Sequence, residues 1–96
     1  MKQALVAHPD DTVGTALHEL SAGDAVSAVV KGSGSRQISA REPIPRFHKI
    51  ALRDIKKGEK VLKYGEAIGT ASRDIGAGFH VHVQNLESDR GRGDRR

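Results

Sequence analysis

A mainly β domain, built from many short strands with helical turns between them and little regular sheet, is the fold class this sequence predicts. Three observations lead there. Apolar residues come in brief runs, such as Ala4-Leu5-Val6-Ala7 and Ala25-Val26-Ser27-Ala28-Val29-Val30, each cut off by Gly, Pro, Asp or Ser. One local pattern recurs in the segments beginning at Ala16, Ala51 and Ala71. In each, an acidic residue follows three places on (Glu19, Asp54, Asp74), then Leu20, Ile55 or Ile75, then Gly23, Gly58 or Gly78, then Val26, Val61 or Val81. That order reads as a short helical turn with its Leu or Ile inward, a glycine in a tight turn, and a strand beginning at the valine. The uneven spacing of the three copies argues against a solenoid, which needs a fixed period. Finally, Glu42-Pro43-Ile44-Pro45 is an extended connector, because both prolines fix φ and restrict the residues before them.

The elements follow in order. Ala4–Ala7 is a first strand and His8-Pro9-Asp10-Asp11-Thr12 a turn, with Asp11 or Thr12 placed to cap a helix lined by Val13, Ala16, Leu17 and Leu20. Ala25–Val30 is a strand, residues 31–36 a hairpin loop lacking the Lys-Ser/Thr ending of a phosphate-binding loop, and Gln37–Ala40 a short strand. Lys60–Tyr64 and Glu66–Ala71 are two more extended pieces. His80-Val81-His82-Val83-Gln84-Asn85 reads as a last strand, with His80, His82 and Gln84 on one face and Val81 and Val83 behind them. Residues 1–87 thus form one domain, and 88–96 an Arg/Gly-rich tail without apolar periodicity, expected to be disordered.

Composition narrows the function. The chain has 96 residues, 36% hydrophobic and 3% aromatic, so its core is thin and a partner chain or a homo-oligomer is expected to add burial. The absence of cysteine excludes disulfides, thiol nucleophiles and Cys-ligated zinc. No apolar run approaches a membrane span and no signal-peptide profile opens the chain, so no membrane partner and a cytoplasmic location are expected. The formal charge is +4, but half of it lies in residues 89–96, and three scattered rings make no stacking platform; a nucleic-acid partner is not expected.

Four ordered motifs carry a resemblance. Ile44-Pro45-Arg46-Phe47-His48-Lys49-Ile50-Ala51-Leu52-Arg53-Asp54-Ile55 with Gly58 is similar to the IP-x-GHK-x-AL-x-x-I-x-x-G signature of the altronate/galactarate dehydratase family. Val61–Gly69 resembles its V-x-KYG-x-x-IG segment, Gly78–Asn85 its G-x-HVH-x-HN ending, and His8–Val13 its H-x-x-DNV opening. The likeness covers residues 5–87 and implies the family's small N-terminal SAF-type domain, a β-clip fold, similar also to the small subunit of sulfolactate sulfo-lyase. It implies a lyase that eliminates water from a sugar acid with a divalent metal, Fe²⁺ or Mn²⁺, in a site shared with a large catalytic dehydratase subunit, the small chain being inactive alone. His48, His82 and Lys49 are then the catalytic candidates, and His80 and His82 the metal ligands. Abstraction of a proton next to a carboxylate needs a base with a pKa near neutrality and a positive charge to hold the resulting dianion, which imidazoles and a lysine can provide. The chain departs from the family pattern at Gln84, where relatives usually have histidine, and at Phe47, where they usually have glycine. The competing reading is a non-catalytic carbohydrate-related binding or scaffolding module.

Overall fold

The computed structural model describes residues 1–88 and places no helix among them. Six strands form one sheet: β1 (Lys2–Val6), β2 (Val13–Ala16), β3 (Ala25–Val30), β4 (Gly34–Ser39), β5 (Lys49–Ala51) and β8 (His80–Val81). Their order is β4-β3-β1-β2-β5-β8, with only β1 and β3 parallel. A second sheet holds β6 (Lys60–Lys63), β7 (Glu66–Ala71) and β9 (Leu86–Ser88), in the order β6-β7-β9. The fold is mainly β, compatible with a SAF β-clip. Ser88 ends β9, and the rest of the expected tail lies outside the described residues.

The expected helix over 13–20 is not formed. Val13–Ala16 is β2, and its backbone is engaged by β1 on one side and β5 on the other. Two sheet neighbours offer this Val-Gly-Thr-Ala stretch more than an isolated helical turn can, so tertiary pairing overrides the local pattern. Asp11 therefore caps no helix. Its buried carboxylate accepts the N–H groups of His8 (3.1 Å), Tyr64 (2.9 Å) and Gly65 (2.7 Å), tying the first turn to the β6–β7 hairpin. That hairpin turns on Tyr64 and Gly65, at φ of 60° and 74°, the paired positive values of a tight two-residue β-turn.

The recurring segments are not helical turns either. They are tight turns fastened in pairs, and a fourth copy, Ala40–Ile50, joins the three visible in the sequence. The first copy pairs with the fourth and the second with the third. Leu20 and Ile44 exchange N–H···O bonds of 2.9 and 3.0 Å, and Ile55 and Ile75 do so at 2.7 Å each way. The residue in the glycine place donates to the alanine carbonyl of its mate: Gly23 to Ala40, Phe47 to Ala16, Gly58 to Ala71 and Gly78 to Ala51, at 2.7–2.8 Å. Each alanine N–H returns a 2.9 Å bond to the residue after its mate's glycine place. The inward residues of every copy are fully or almost fully buried: Ala16, Ala40, Ala51 and Ala71; Leu20, Ile44, Ile55 and Ile75; Val26, Ile50, Val61 and Val81. At about 1.5–3 kcal/mol for each large aliphatic side chain, these turns supply most of the core. One cluster gathers around Leu20, Ile44 and Ile50, the other around Ile55, Val61, Ile75 and Val81.

Candidate functional site

The fourth turn carries the first site residue. At its ninth place the sister turns hold Asp24 and Glu59, whose carboxylates reach back to the N–H of Ser21 (2.7 Å) and Lys56 (2.6 Å). The corresponding earlier residue in the fourth turn is Pro45, which has no N–H to offer. The side chain at the ninth place, His48, is thereby released from closing its own turn. Its main chain keeps the common pattern, donating to Pro45 (3.0 Å) and accepting from Ala16 (2.9 Å).

β5 and β8 then bring the other two rings alongside. Lys49 lies opposite Val81 and Ile50 opposite His80, so continuing the antiparallel register sets His48 opposite His82. Ring centroids are 4.3 Å apart for His48–His82, 5.1 Å for His48–His80 and 5.5 Å for His80–His82, with planes within 28° of one another. Nδ1 of His48 lies 2.9 Å from Nε2 of His80. Each of the three residues offers one ring nitrogen, and these nitrogens lie within 4.8 Å of one another.

The strand expected over His80–Asn85 stops after Val81. Residues 83–85 form a turn closed by the N–H groups of Asn85 (3.1 Å) and Leu86 (2.9 Å) on the His82 carbonyl. Val83 consequently does not pack behind the histidines; it is 81% exposed, while Val81 is fully buried. The stacking of His80 and His82 comes from this clamped turn rather than from strand alternation alone. The Asn85 side chain fixes both ends of it: Oδ1 accepts the His82 N–H at 3.0 Å and Nδ2 donates to the His80 carbonyl at 2.8 Å. Glu42 Oε2 accepts the His80 N–H at 2.9 Å.

The electrostatics favour neutral rings. His80 is lowered from its ordinary value, mostly by burial, then by the charges of His48 and His82, with Glu42 opposing and Lys49 adding slightly. His82 is lowered by burial, then by His48 and Lys49. Lys49 is itself lowered, by burial first and the Lys63 ammonium second. Neutral imidazoles keep a lone pair, which is what a proton acceptor or a metal ligand needs. Three imidazole donors suit a divalent first-row ion, so the residues present fit such a group.

Of the residues singled out from the sequence, His48, His80 and His82 therefore come together, Lys49 is felt by two of them, and Gln84 touches His80. His8 and His18 lie elsewhere: His8 Nδ1 accepts the Asp10 N–H at 3.0 Å, and His18 lines a surface hollow with Leu17, Glu19, Pro45 and Arg46. Asp54 and Asp74 bond the N–H groups of Ala77 (2.9 Å) and Lys57 (2.8 Å), as turn residues do. Sequence reasoning missed Glu42, which no spacing distinguishes.

Comparison with known proteins shows the family to which the sequence is related. The family described as Altronate/galactarate dehydratase SAF domain matches residues 2–89. Altronate dehydratase of Escherichia coli (strain K12) is 40% identical over 87 residues, 91% of this chain and 17% of that protein. Altronate dehydratase of Bacillus subtilis (strain 168) is 37% identical over 89 residues, 93% of this chain and again 17% of the relative. The (2R)-sulfolactate sulfo-lyase subunit alpha of Chromohalobacter salexigens is 36% identical over 83 residues, which span 84% of this chain and 88% of that subunit. The chain thus spans about a sixth of each dehydratase but most of the sulfo-lyase subunit. A family-model match over residues 2–89, relatives at 36–40% identity and a β architecture without helices among the described residues lead to one conclusion: this chain belongs to the altronate/galactarate dehydratase SAF domain family.

Proposed function

We propose that this chain is the SAF part of a metal-assisted lyase of the altronate/galactarate dehydratase type, acting on a sugar acid in a site completed by a larger catalytic polypeptide. The observation that supports this best is the convergence of three ring nitrogens within 4.8 Å at the ends of two short strands in a domain whose relatives are dehydratases and a sulfo-lyase subunit. His80 and His82 would hold a divalent ion such as Fe²⁺ or Mn²⁺, with His48 beside them. When bound, such an ion supplies a positive charge against which carboxylate and leaving-group oxygens are polarised. The chain's own residues do the rest. Lys49, at the edge of the cluster, offsets the negative charge of a substrate carboxylate. His82, with its pKa lowered by burial and neighbouring charges, has one lone pair to give. It either holds the ion with His80 or, where His80 and His48 are the ligands, accepts the proton next to that carboxylate; His48, when not a ligand, exchanges a proton with the departing hydroxyl.

The test is reconstitution with the larger polypeptide and assay on altronate, galactarate and sulfolactate. His82→Ala is expected to lower turnover by about 10²–10⁴-fold, the usual contribution of a positioned acid or base. Unchanged turnover on all three substrates would remove the proposal.

A further inference from the structure

The two ring nitrogens of His80 have different neighbours. Nε2 faces the cluster, 2.9 Å from Nδ1 of His48, whereas Nδ1 meets the side-chain amide of Gln84 at 3.3 Å. Gln84 reaches that nitrogen because it sits in the turn that Asn85 clamps to the main chain of His80 and His82. Ring and amide are therefore held by one rigid piece of backbone. We propose that Gln84 is a positioning residue for His80: its amide occupies Nδ1, so that Nε2 is the nitrogen offered to the other imidazoles and to the ion they hold. The inference rests on the metal site proposed above.

The chemistry explains why an amide suits this place. A glutamine end carries both N–H donors and a carbonyl acceptor. While Nε2 bears the ring proton and donates it to His48, Nδ1 is an acceptor and the amide N–H meets it. Once Nε2 lends its lone pair to a cation, the ring proton sits on Nδ1, and the rotated amide accepts it through its carbonyl. Both arrangements leave the ring where it is. An ionised carboxylate at this position serves only the second, and an alkyl side chain serves neither. Partners of this kind behind a metal-bound histidine typically carry about 10–100-fold in metal affinity.

The experiment uses the full chain, with Zn²⁺ as a spectroscopically silent probe in calorimetry and long-range ¹⁵N–¹H spectra of the imidazoles without metal. In the wild-type chain His80 is expected as one dominant tautomer, protonated on Nε2. Gln84→Ala should mix the two tautomers and weaken Zn²⁺ binding by about 10–100-fold. Gln84→Glu should move the proton to Nδ1 and hold the affinity at or above the wild-type level. An unaltered tautomer ratio together with unaltered affinity in Gln84→Ala overturns the proposal. If Zn²⁺ binds none of the three chains, the metal site itself fails, and the tautomer ratio alone decides: mixed forms in Gln84→Ala uphold the role of Gln84, unchanged forms end it. Backbone amide spectra show whether each variant keeps the fold.

Discussion

Gly58 and Gly78 occupy the same place in mated turns, yet replacing each with alanine should have very different consequences. Their φ values are 90° and 87°, and each N–H donates a 2.8 Å bond to the alanine carbonyl of the other turn. The conformational penalty for an L-residue in this left-handed region, about 1–2 kcal/mol, is common to both. So is the partial offset of about 0.4–1 kcal/mol from a less flexible unfolded chain. The surroundings differ. A Cβ on residue 58 would meet nothing within 4 Å, whereas one on residue 78 would land on the Ser39 carbonyl oxygen and lie 2.8 Å from Cγ of Arg41. Ser39 ends β4, and Arg41 is itself bound through its N–H to the Gly78 carbonyl at 2.9 Å, so neither can withdraw freely. Forced overpacking of this sort adds about 1–3 kcal/mol. Gly58→Ala should therefore cost about 1 kcal/mol and Gly78→Ala about 2–4 kcal/mol, which in a domain of this size means melting shifts of roughly 4–8 °C and 8–30 °C. Urea and thermal melts followed by circular dichroism would measure both. Equal losses, or a greater loss at Gly58, would refute the steric argument. Because Gly78 leads directly into Phe79 and His80, the imidazole signals should shift in the Gly78 variant and stay in place in the Gly58 variant.

Two further outcomes are expected. Asp11→Ala removes the acceptor of three main-chain N–H groups and should cost about 2–4 kcal/mol. Asp11→Asn, keeping one oxygen, should lose less; a urea midpoint for the alanine variant within 0.5 M of wild type (about 1 kcal/mol or less) would contradict this. The metal-free chain should also become less stable in mild acid. His80 and His82 have folded values below their ordinary 6.5, so the folded state resists a proton that the unfolded state accepts. Their contribution is fully present above pH 6.5 and is lost as pH falls through the folded values. Thermal melts from pH 8 to 5 should show that decline, and a double His80→Gln, His82→Gln variant should flatten it.

Much of the architecture could be read from the residues, because strand propensity, glycine placement and proline restriction act locally. Ala25–Val30 is such a case, matching β3 residue for residue. The helix expected at Val13–Leu20 fails for a non-local reason: apolar spacing there satisfies both a helical face and a strand held between two neighbours, and only the register with β1 and β5 decides. The fourth turn was hidden by three departures from the pattern, Pro43 at the acidic place, Phe47 at the glycine place and Ile50 at the valine place. Phe47 nonetheless takes the glycine conformation, at φ 70°, with its ring 60% exposed under the Arg46 guanidinium. The imidazole trio lies beyond local reading as well. Its third member comes from a segment some thirty residues earlier, and the β5–β8 pairing that joins them is two residue pairs long, Lys49 with Val81 and Ile50 with His80. Motif resemblance singled out three histidines that the fold brings together; spacing alone did not say that they touch.

The paired turns also bear on how such a scaffold can be re-equipped. The fastening between mated turns is made by main-chain amide and carbonyl groups, so it does not dictate which side chain stands at the ninth place. Evolution has filled that socket with aspartate, histidine, glutamate and phenylalanine at residues 24, 48, 59 and 79. An engineer seeking to graft a ligand or a reactive group onto this domain would weigh each place by what it already does: Asp24 and Glu59 close their own turns and Phe79 packs against the second core cluster, whereas the side chain at residue 48 is released.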